Sequence, residues 1–439
     1  MLKSSRFPDE GLLAYLGPAL TVSALAALEG RGYKIIELVA PGQPDSDLPD
    51  SINGLILGIG CSHPLRGAFQ TEAERRGLPC ATDLAFLAEI QLTMAAKPRR
   101  RIVITGSAGK SFTSVLAQHL LLQGGVQAEW VSDDEGYLNL LGSKCEAALL
   151  EVPTASCREA IGLHPGVVAV LNLSDEHGGP IAPSLRDAAA DLLVSAPVGV
   201  LGADDLGTQS LMMTARRRMR PGDQRLVPIS GGATLSDGCF ALDQSIYANT
   251  KGRTRRIAQF NGSPVLLGTH LAQDAAAAVA LAMEFHVNDT SIGHGLATFR
   301  GLSGRFDCIG TDGRVVFVDD RSSTSLASTE AAIAACPDVF WIGQTLGPLP
   351  KKIKSLIRSA FYVTPPDGSG PPADGIVTFK DADEATAAAL RSATDVMRAE
   401  PLATPVILFS PGGRGLERQG ELFRIKALSF LSEGQRAHG

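Results

Sequence analysis

The residues best placed to do chemistry are Gly106, Ser107, Ala108, Gly109, Lys110 and Ser111, which read G-S-A-G-K-S. Ile102 to Ile104 precede them as a short apolar run with strand character. Phe112 to Leu122 follow, with apolar positions 112, 115, 116 and 120 on one helical face. A strand that turns through glycines into a helix aims backbone N–H groups and the positive helix end at one point, which suits a polyphosphate. In that setting Lys110 meets the β- and γ-phosphates and the Ser111 hydroxyl ligates Mg²⁺. Gly106, Ser107, Gly109 and Phe112 complete the nucleotide-binding turn. The long form of this loop, G-x-x-x-x-G-K-[ST], has glycine where the chain has Ile104, so the match is to the shortened G-x-x-G-K-[ST]. A tight turn with an exposed lysine is the ordinary alternative, and the flanking strand and helix weigh against it.

Carboxylates that could serve such a loop stand where apolar runs end. Ala147 to Val152, Val167 to Leu173 and Val198 to Leu201 are continuous apolar runs, as expected of parallel strands covered on both faces. Glu151 closes the first, Asp175, Glu176 and His177 follow the second, and Asp204 and Asp205 follow the third. Ligands of open parallel sheets collect at the carboxyl ends of the strands, so Glu151 is a natural Mg²⁺ partner. His177, among these acids, is a candidate ligand or proton handler.

Composition narrows the classes. With 439 residues the chain has room for about three domains. A net charge of −6 carries no electrostatic footprint for nucleic acid. The seven cysteines form no C-x-x-C and no metal-like spacing with histidine, which points to reduced thiols in the cytoplasm. The apolar run from Gly11 to Leu28 is preceded by Asp9 and Glu10 and broken by Gly17 and Pro18, so it reads as neither signal nor membrane span.

Among the positioning elements, strands at Tyr33 to Leu38 and Gly54 to Gly58 and a helix from Ala68 to Arg76 make a small α/β domain. Gly17 in its first strand-to-helix turn is a possible phosphate position. A proline-containing polar hinge, Ala95 to Arg101, ends it. Ser230 to Ser263 reads as an inserted or appended small sheet. Helix-like runs then occupy Leu271 to Ala282, with Asp274 near the start, Leu326 to Ala335 and Ala382 to Ala399. Asp320 and Ser410 again stand at strand ends. The expected architecture is α/β in three domains: a Rossmann-like N-terminal domain over 1–97, a central P-loop-type parallel-sheet ATPase domain over 98–300, and a C-terminal Rossmann-like domain over 301–439.

With these residues placed, the chain resembles the Mur ligase family over nearly its whole length and in motif order. Thr105 to Ser111 resembles T-G-[ST]-N-G-K-[ST]. Leu150 to Ala155 sits where the family has L-E-x-S-S, and Asn172 to His177 resembles N-x-[ST]-x-D-H with the two acids exchanged. Gly268 to His270 resembles G-x-H-N, Gly301 to Arg305 resembles G-L-x-H-R, Asp319 to Thr324 resembles N-D-S-K-A-T, and Leu408 to Pro411 resembles L-S-P. The resemblance implies that Glu151 and His177 hold Mg²⁺ and that Asp274 opens the helix approaching adenine. It further implies that Arg305 reaches the γ-phosphate, Asp320 holds the ATP ribose, and Thr324 and Ser410 lie near the amino-acid site. The implied partners are small molecules, a UDP-sugar-linked carboxylate held by the first domain around Gly17 and an amino acid. A cytoplasmic monomer is implied, with no nucleic acid and no membrane. The implied reaction is phosphoryl transfer from ATP to the carboxylate, then attack by the amine. Lys110, His177 and Arg305 act on the transferring group.

Departures from the pattern leave the acceptor open. The loop asparagine is Ala108, and the lysine that bridges metals in many members falls at Ala189, where Asp187 or Asp191 are the available substitutes. The motif lysine after Asp320 becomes Ser322, and Gly343 to Gly347 contains no lysine. Three functions compete. One is D-glutamate addition to UDP-N-acetylmuramoyl-L-alanine in peptidoglycan precursor synthesis. The second is ligation of another carboxylate and amine, and the third is a catalytically weak binding protein.

Overall fold

A computed structural model describes residues 7–38, 48–61, 63–92, 100–174, 181–219, 222–259, 269–312, 314–323, 326–336, 338–344, 350–364, 377–412 and 416–438. The described strands form three sheets. By the density of its internal contacts the chain divides into two compact units, residues 1–258 with 276–292, and residues 259–275 with 293–439.

The first sheet joins β1 (Gly11–Leu16), β2 (Tyr33–Glu37), β3 (Gly54–Leu57) and β4 (Cys80–Thr82) in the order 2-1-3-4, all parallel. Helices α1 (Val22–Glu29), α2 (Arg66–Arg76) and α3 (Asp83–Leu92) belong to the same stretch of chain. Parallel strands need crossovers, and the apolar runs of β1 and β3 are buried, as a sheet covered on both faces requires. Thr21 starts α1 by accepting the Ala24 N–H, and Gly77 stops α2 in the left-handed conformation, with φ of 67°.

The second sheet has nine strands. They are β5 (Arg100–Thr105), β6 (Ala128–Val131), β7 (Ala147–Glu151), β8 (Val167–Val170), β9 (Val198–Gly202), β10 (Arg225–Ser230), β11 (Gly238–Leu242), β12 (Ser245–Thr250) and β13 (Arg253–Gln259), in the order 13-12-11-10-9-8-5-7-6. Helices α4 (Lys110–Gln123), α5 (Cys157–Ala160), α6 (Pro183–Leu193) and α7 (Leu206–Arg218) occur along it. β5 lies between β7 and β8, paired Ile104 to Glu151 and Thr105 to Val170. The segment expected as an inserted or appended small sheet, over its described residues, carries this sheet on. β11 pairs parallel to β10, Ile229 to Cys239, and β12 returns antiparallel from β11. The run expected to reach Leu173 leaves the sheet after Val170, because Asn172 is drawn into the glycine loop.

In the second unit, the third sheet orders β14 (Asp307–Thr311), β15 (Val316–Asp319), β16 (Val339–Gly343), β17 (Ile357–Val363), β18 (Thr378–Phe379) and β19 (Val406–Phe409) as 14-15-19-16-17-18. Only β14 and β15 pair antiparallel among its registered pairs. Helices α8 (Thr269–Glu284) and α9 (Asp289–Thr298) precede it in the chain, and α10 (Leu326–Ala335), α11 (Lys351–Lys354), α12 (Ala382–Ala399) and α13 (Glu417–His438) accompany it. Phe317, Phe340, Phe409 and Phe423 are buried at its core, with Phe409 and Phe423 stacked. The helix limits expected for Leu326 to Ala335 and Ala382 to Ala399 are those observed.

Candidate active site

The glycine loop leaves β5 at Thr105 and enters α4 at Lys110. Gly106 takes a φ of 148° and Gly109 a φ of 82°, a region that side chains disfavour. A Cβ on Gly106 would stand 3.2 Å from both the backbone N and O of Asn172, so the chain also needs glycine there for close approach. Asn172 pins the loop from β8: its Oδ1 accepts the Ala108 N–H at 2.8 Å and its Nδ2 donates to the Ala108 carbonyl at 3.0 Å. Ser107 adds a second clasp, its Oγ donating to the Ser174 carbonyl at 2.6 Å and accepting the Ser174 N–H at 2.9 Å. Thr113 N–H closes onto the Gly109 carbonyl at 2.9 Å, so the amides of 110–112 head the helix, where anions bind.

Lys110 donates from Nζ to the Gly106 carbonyl at 3.0 Å, folding its ammonium back over the loop. Ser111 and Glu151 are both buried, and the Ser111 hydroxyl donates to Glu151 Oε1 at 2.8 Å. Phe112 is buried in the interior, so its ring is not presented to a ligand. Asp133, after β6, lies near enough to Lys110 to feel its charge. Burial and the neighbouring Asp134 raise the Asp133 carboxyl above the usual range, and Lys110 opposes them.

The fit of Mg²⁺ rests on this donor set. Among the described residues no group of three or more His, Cys, Asp or Glu is placed to hold a metal. A hydroxyl and a carboxylate oxygen in contact at a helix N-terminus are hard donors of the kind Mg²⁺ takes, with phosphate oxygens and water filling the rest of its shell. Residues 175–180 lie outside the described residues, so His177 has no position here. Asp187 and Asp191, the available substitutes for a bridging lysine, already have a cationic partner. On α6 they engage Arg218 at 3.2 Å and 2.7 Å, while Ala189 is fully buried. Asp204 and Asp205 also have structural partners: Asp204 accepts from Ser230 Oγ and Gly231 N, and Asp205 caps α7 through Thr208 N.

At the turn after β1, a Cβ on Gly17 would meet the Tyr15 hydroxyl at 2.4 Å. Glu37 Oε1 accepts the Leu20 N–H at 2.8 Å and Asn139 Oδ1 accepts the Thr21 N–H at 2.8 Å. With a carboxylate already on one of its amides, this turn makes a poorer phosphate cradle than Gly106 to Ser111.

Within the second unit, Asp320 and Ser410 meet directly. Ser410 Oγ donates to Asp320 Oδ2 at 2.8 Å, and Asp320 Oδ1 accepts the Phe306 N–H at 3.1 Å. Burial pushes Asp320 up to about 7 against the pull of Ser410, Phe306 N–H and the Arg305 charge. Arg305 is exposed at the end of a tight bridge with Leu302 and close enough to contribute that charge. Thr324 lies outside the described residues, and Asp274 is buried in the first half of α8. Arg321 is committed to Asp319 and Glu421, and Arg424 to Asp307 at 2.6 Å.

Three residues that shape the site carry roles that the motifs do not give. Asn172 lay inside a quoted stretch but holds the loop rather than a ligand. Tyr137 and Asp83 belong to no motif, and only the fold brings Asp83 to Tyr137 and Tyr137 to Glu151.

No profile of a protein family matches the chain. It is 28% identical to the UDP-N-acetylmuramoylalanine–D-glutamate ligase of Phenylobacterium zucineum (strain HLK1) over 407 residues, covering 86% of this chain and 84% of that one. Among solved structures it is similar to the UDP-N-acetylmuramate–alanine ligase MurC of Thermotoga maritima, with a TM-score of 0.58 at 13% identity over 96% of this chain and all of that one. It is also similar to the MurF ligase of Thermotoga maritima in complex with ADP, with a TM-score of 0.55 at 14% identity over 98% of both chains.

Proposed function

We propose that this chain is a divergent member of the Mur ligase family and an ATP-dependent ligase joining D-glutamate to UDP-N-acetylmuramoyl-L-alanine in peptidoglycan precursor synthesis, a reading supported by its likeness to a D-glutamate ligase over most of both chains. The observation that carries the reading is the buried contact of Ser111 with Glu151 at the head of a pinned glycine loop. The sugar-linked carboxylate takes the γ-phosphoryl group of ATP and becomes an acyl phosphate. The amine of the amino acid then attacks its carbonyl, an amide forms, and inorganic phosphate and ADP leave. We place the reaction in the cytoplasm, where ATP is available; no helix among the described residues is long and apolar enough to cross a membrane.

Phosphoryl transfer asks the protein for positioning and charge neutralisation more than for covalent help. The loop amides and Lys110 supply fixed positive potential at the phosphates. Mg²⁺ would be held by Ser111 and Glu151, with His177 as a third ligand, and would neutralise phosphate charge. Arg305 is the proposed γ-phosphate contact and Asp320 the proposed ribose contact.

The test is phosphate release from ATP by the purified chain across acid and amine pairs. Release confined to UDP-N-acetylmuramoyl-L-alanine with D-glutamate supports the reading, and turnover with other pairs alone overturns it. A different amino acid is the second reading. It is favoured by Ser322 in the lysine position and by Arg321 and Arg424 being tied to carboxylates.

A further inference from the structure

We infer that Tyr137 is a positioning residue for the phosphate site: its hydroxyl fixes the backbone of Glu151 and so the place of the Glu151 carboxylate beside Ser111, while Asp83 holds Tyr137. The inference rests on the reading of Ser111 and Glu151 as magnesium ligands.

Glu151 is the last residue of β7. The next amide, Val152 N–H, still bonds to the Ile104 carbonyl at 2.9 Å on the β5 side. The Glu151 carbonyl and the Val152 N–H belong to one trans peptide and point opposite ways, so the carbonyl faces the β6 side. There the register ends at Val131 with Leu150, one residue short, and no strand residue is left to meet it. A buried carbonyl needs a donor. The Tyr137 hydroxyl supplies one at 2.6 Å.

Tyr137 is itself held at its other end. Its N–H donates to Asp83 Oδ2 at 3.2 Å, and Asp83 Oδ1 accepts the N–H groups of Ile59 at 3.1 Å and Leu84 at 2.9 Å. Asp83 and Tyr137 are both fully buried. A continuous set of bonds therefore runs from the loop after β3 through Asp83 and Tyr137 to Glu151 and Ser111. An ordinary core tyrosine would also satisfy its hydroxyl. This one does so on the residue whose carboxylate touches the loop serine.

The experiment is calorimetric titration of ADP into the full chain with and without MgCl₂, for wild type, Tyr137→Phe, Asp83→Asn and Glu151→Gln. For Tyr137→Phe, metal-free ADP affinity stays within about twofold of wild type while the gain from Mg²⁺ falls roughly 10-fold, the scale of losing an outer partner of a metal ligand. Asp83→Asn shifts the gain in the same direction and serves alone if Tyr137→Phe does not fold. The double variant Tyr137→Phe/Glu151→Gln shows no further loss beyond Glu151→Gln. If Glu151→Gln loses the gain and both Tyr137→Phe and Asp83→Asn keep it, the positioning role is overturned and the metal reading stands. Equal loss of metal-free affinity would mark Tyr137 as general scaffolding and also overturn it. If wild type shows no gain, or Glu151→Gln keeps it, the metal reading fails and takes this inference with it.

Discussion

Lys110 does two things with one ammonium group: it bonds to the Gly106 carbonyl and stands over the amides that head α4. Removing it as Lys110→Ala takes the side-chain positive charge from the phosphate site while the backbone cradle remains. The expected result is a fall in kcat of about 10²–10³ with the fold intact, checked by phosphate release and circular dichroism. Asp320 gives a pH prediction whose sign follows from its burial. Its native pKa of about 7 lies above the usual carboxylate range, so the folded state binds the proton more tightly than the unfolded chain. Stability from this group is fully present below about pH 4 and is lost as pH rises through about 7. Asp320→Asn should flatten the melting temperature across that window and raise it at pH 8. A steeper slope in the variant would contradict the assignment.

The element that matters most is the turn from β5 into α4. Its two glycines do different jobs: Gly106 admits the backbone of Asn172, and Gly109 reverses the chain with a positive φ. Gly109→Ala should cost roughly 1–2 kcal/mol of stability and weaken ADP binding together, read by denaturant titration and calorimetry. This element was readable from the residues because a strand, a glycine pair and a helix face follow one another within a short stretch. Glu151 was readable for a similar reason, as the carboxylate closing an apolar run. Tyr137 and Asp83 were not, because local pattern says nothing about which distant side chain meets a strand's last carbonyl. Asp187 and Asp191 are chemically apt types whose partner the sequence did not reveal: both are paired with Arg218 on a half-buried helix face.

At the scale of the whole molecule, the parallel core of each sheet was foreseeable from uninterrupted apolar strands, and the continuation of the second sheet through β10 to β13 was not. Those last strands have the mixed polarity of an inserted or appended small sheet, and the parallel pairing of Ile229 with Cys239 and Ser230 with Phe240 joins β11 to β10. The two compact units should unfold as separate calorimetric transitions. Magnesium ADP at about 100 times its Kd should raise the transition of the unit holding the glycine loop by on the order of 5 °C. A single transition would show that the units unfold as one.

The outer strand of the second sheet, β13, carries Arg253, Arg255 and Arg256, all exposed, with Arg255 paired to Asp289. A second molecule docking strand to strand at that border would bring two rows of guanidinium groups together, and mutual repulsion discourages it. Concentrated salt shortens the reach of that repulsion to about 3 Å at 1 M. Purification at high ionic strength should therefore promote clumping that dilution into low-salt buffer reverses, a behaviour light scattering would follow directly.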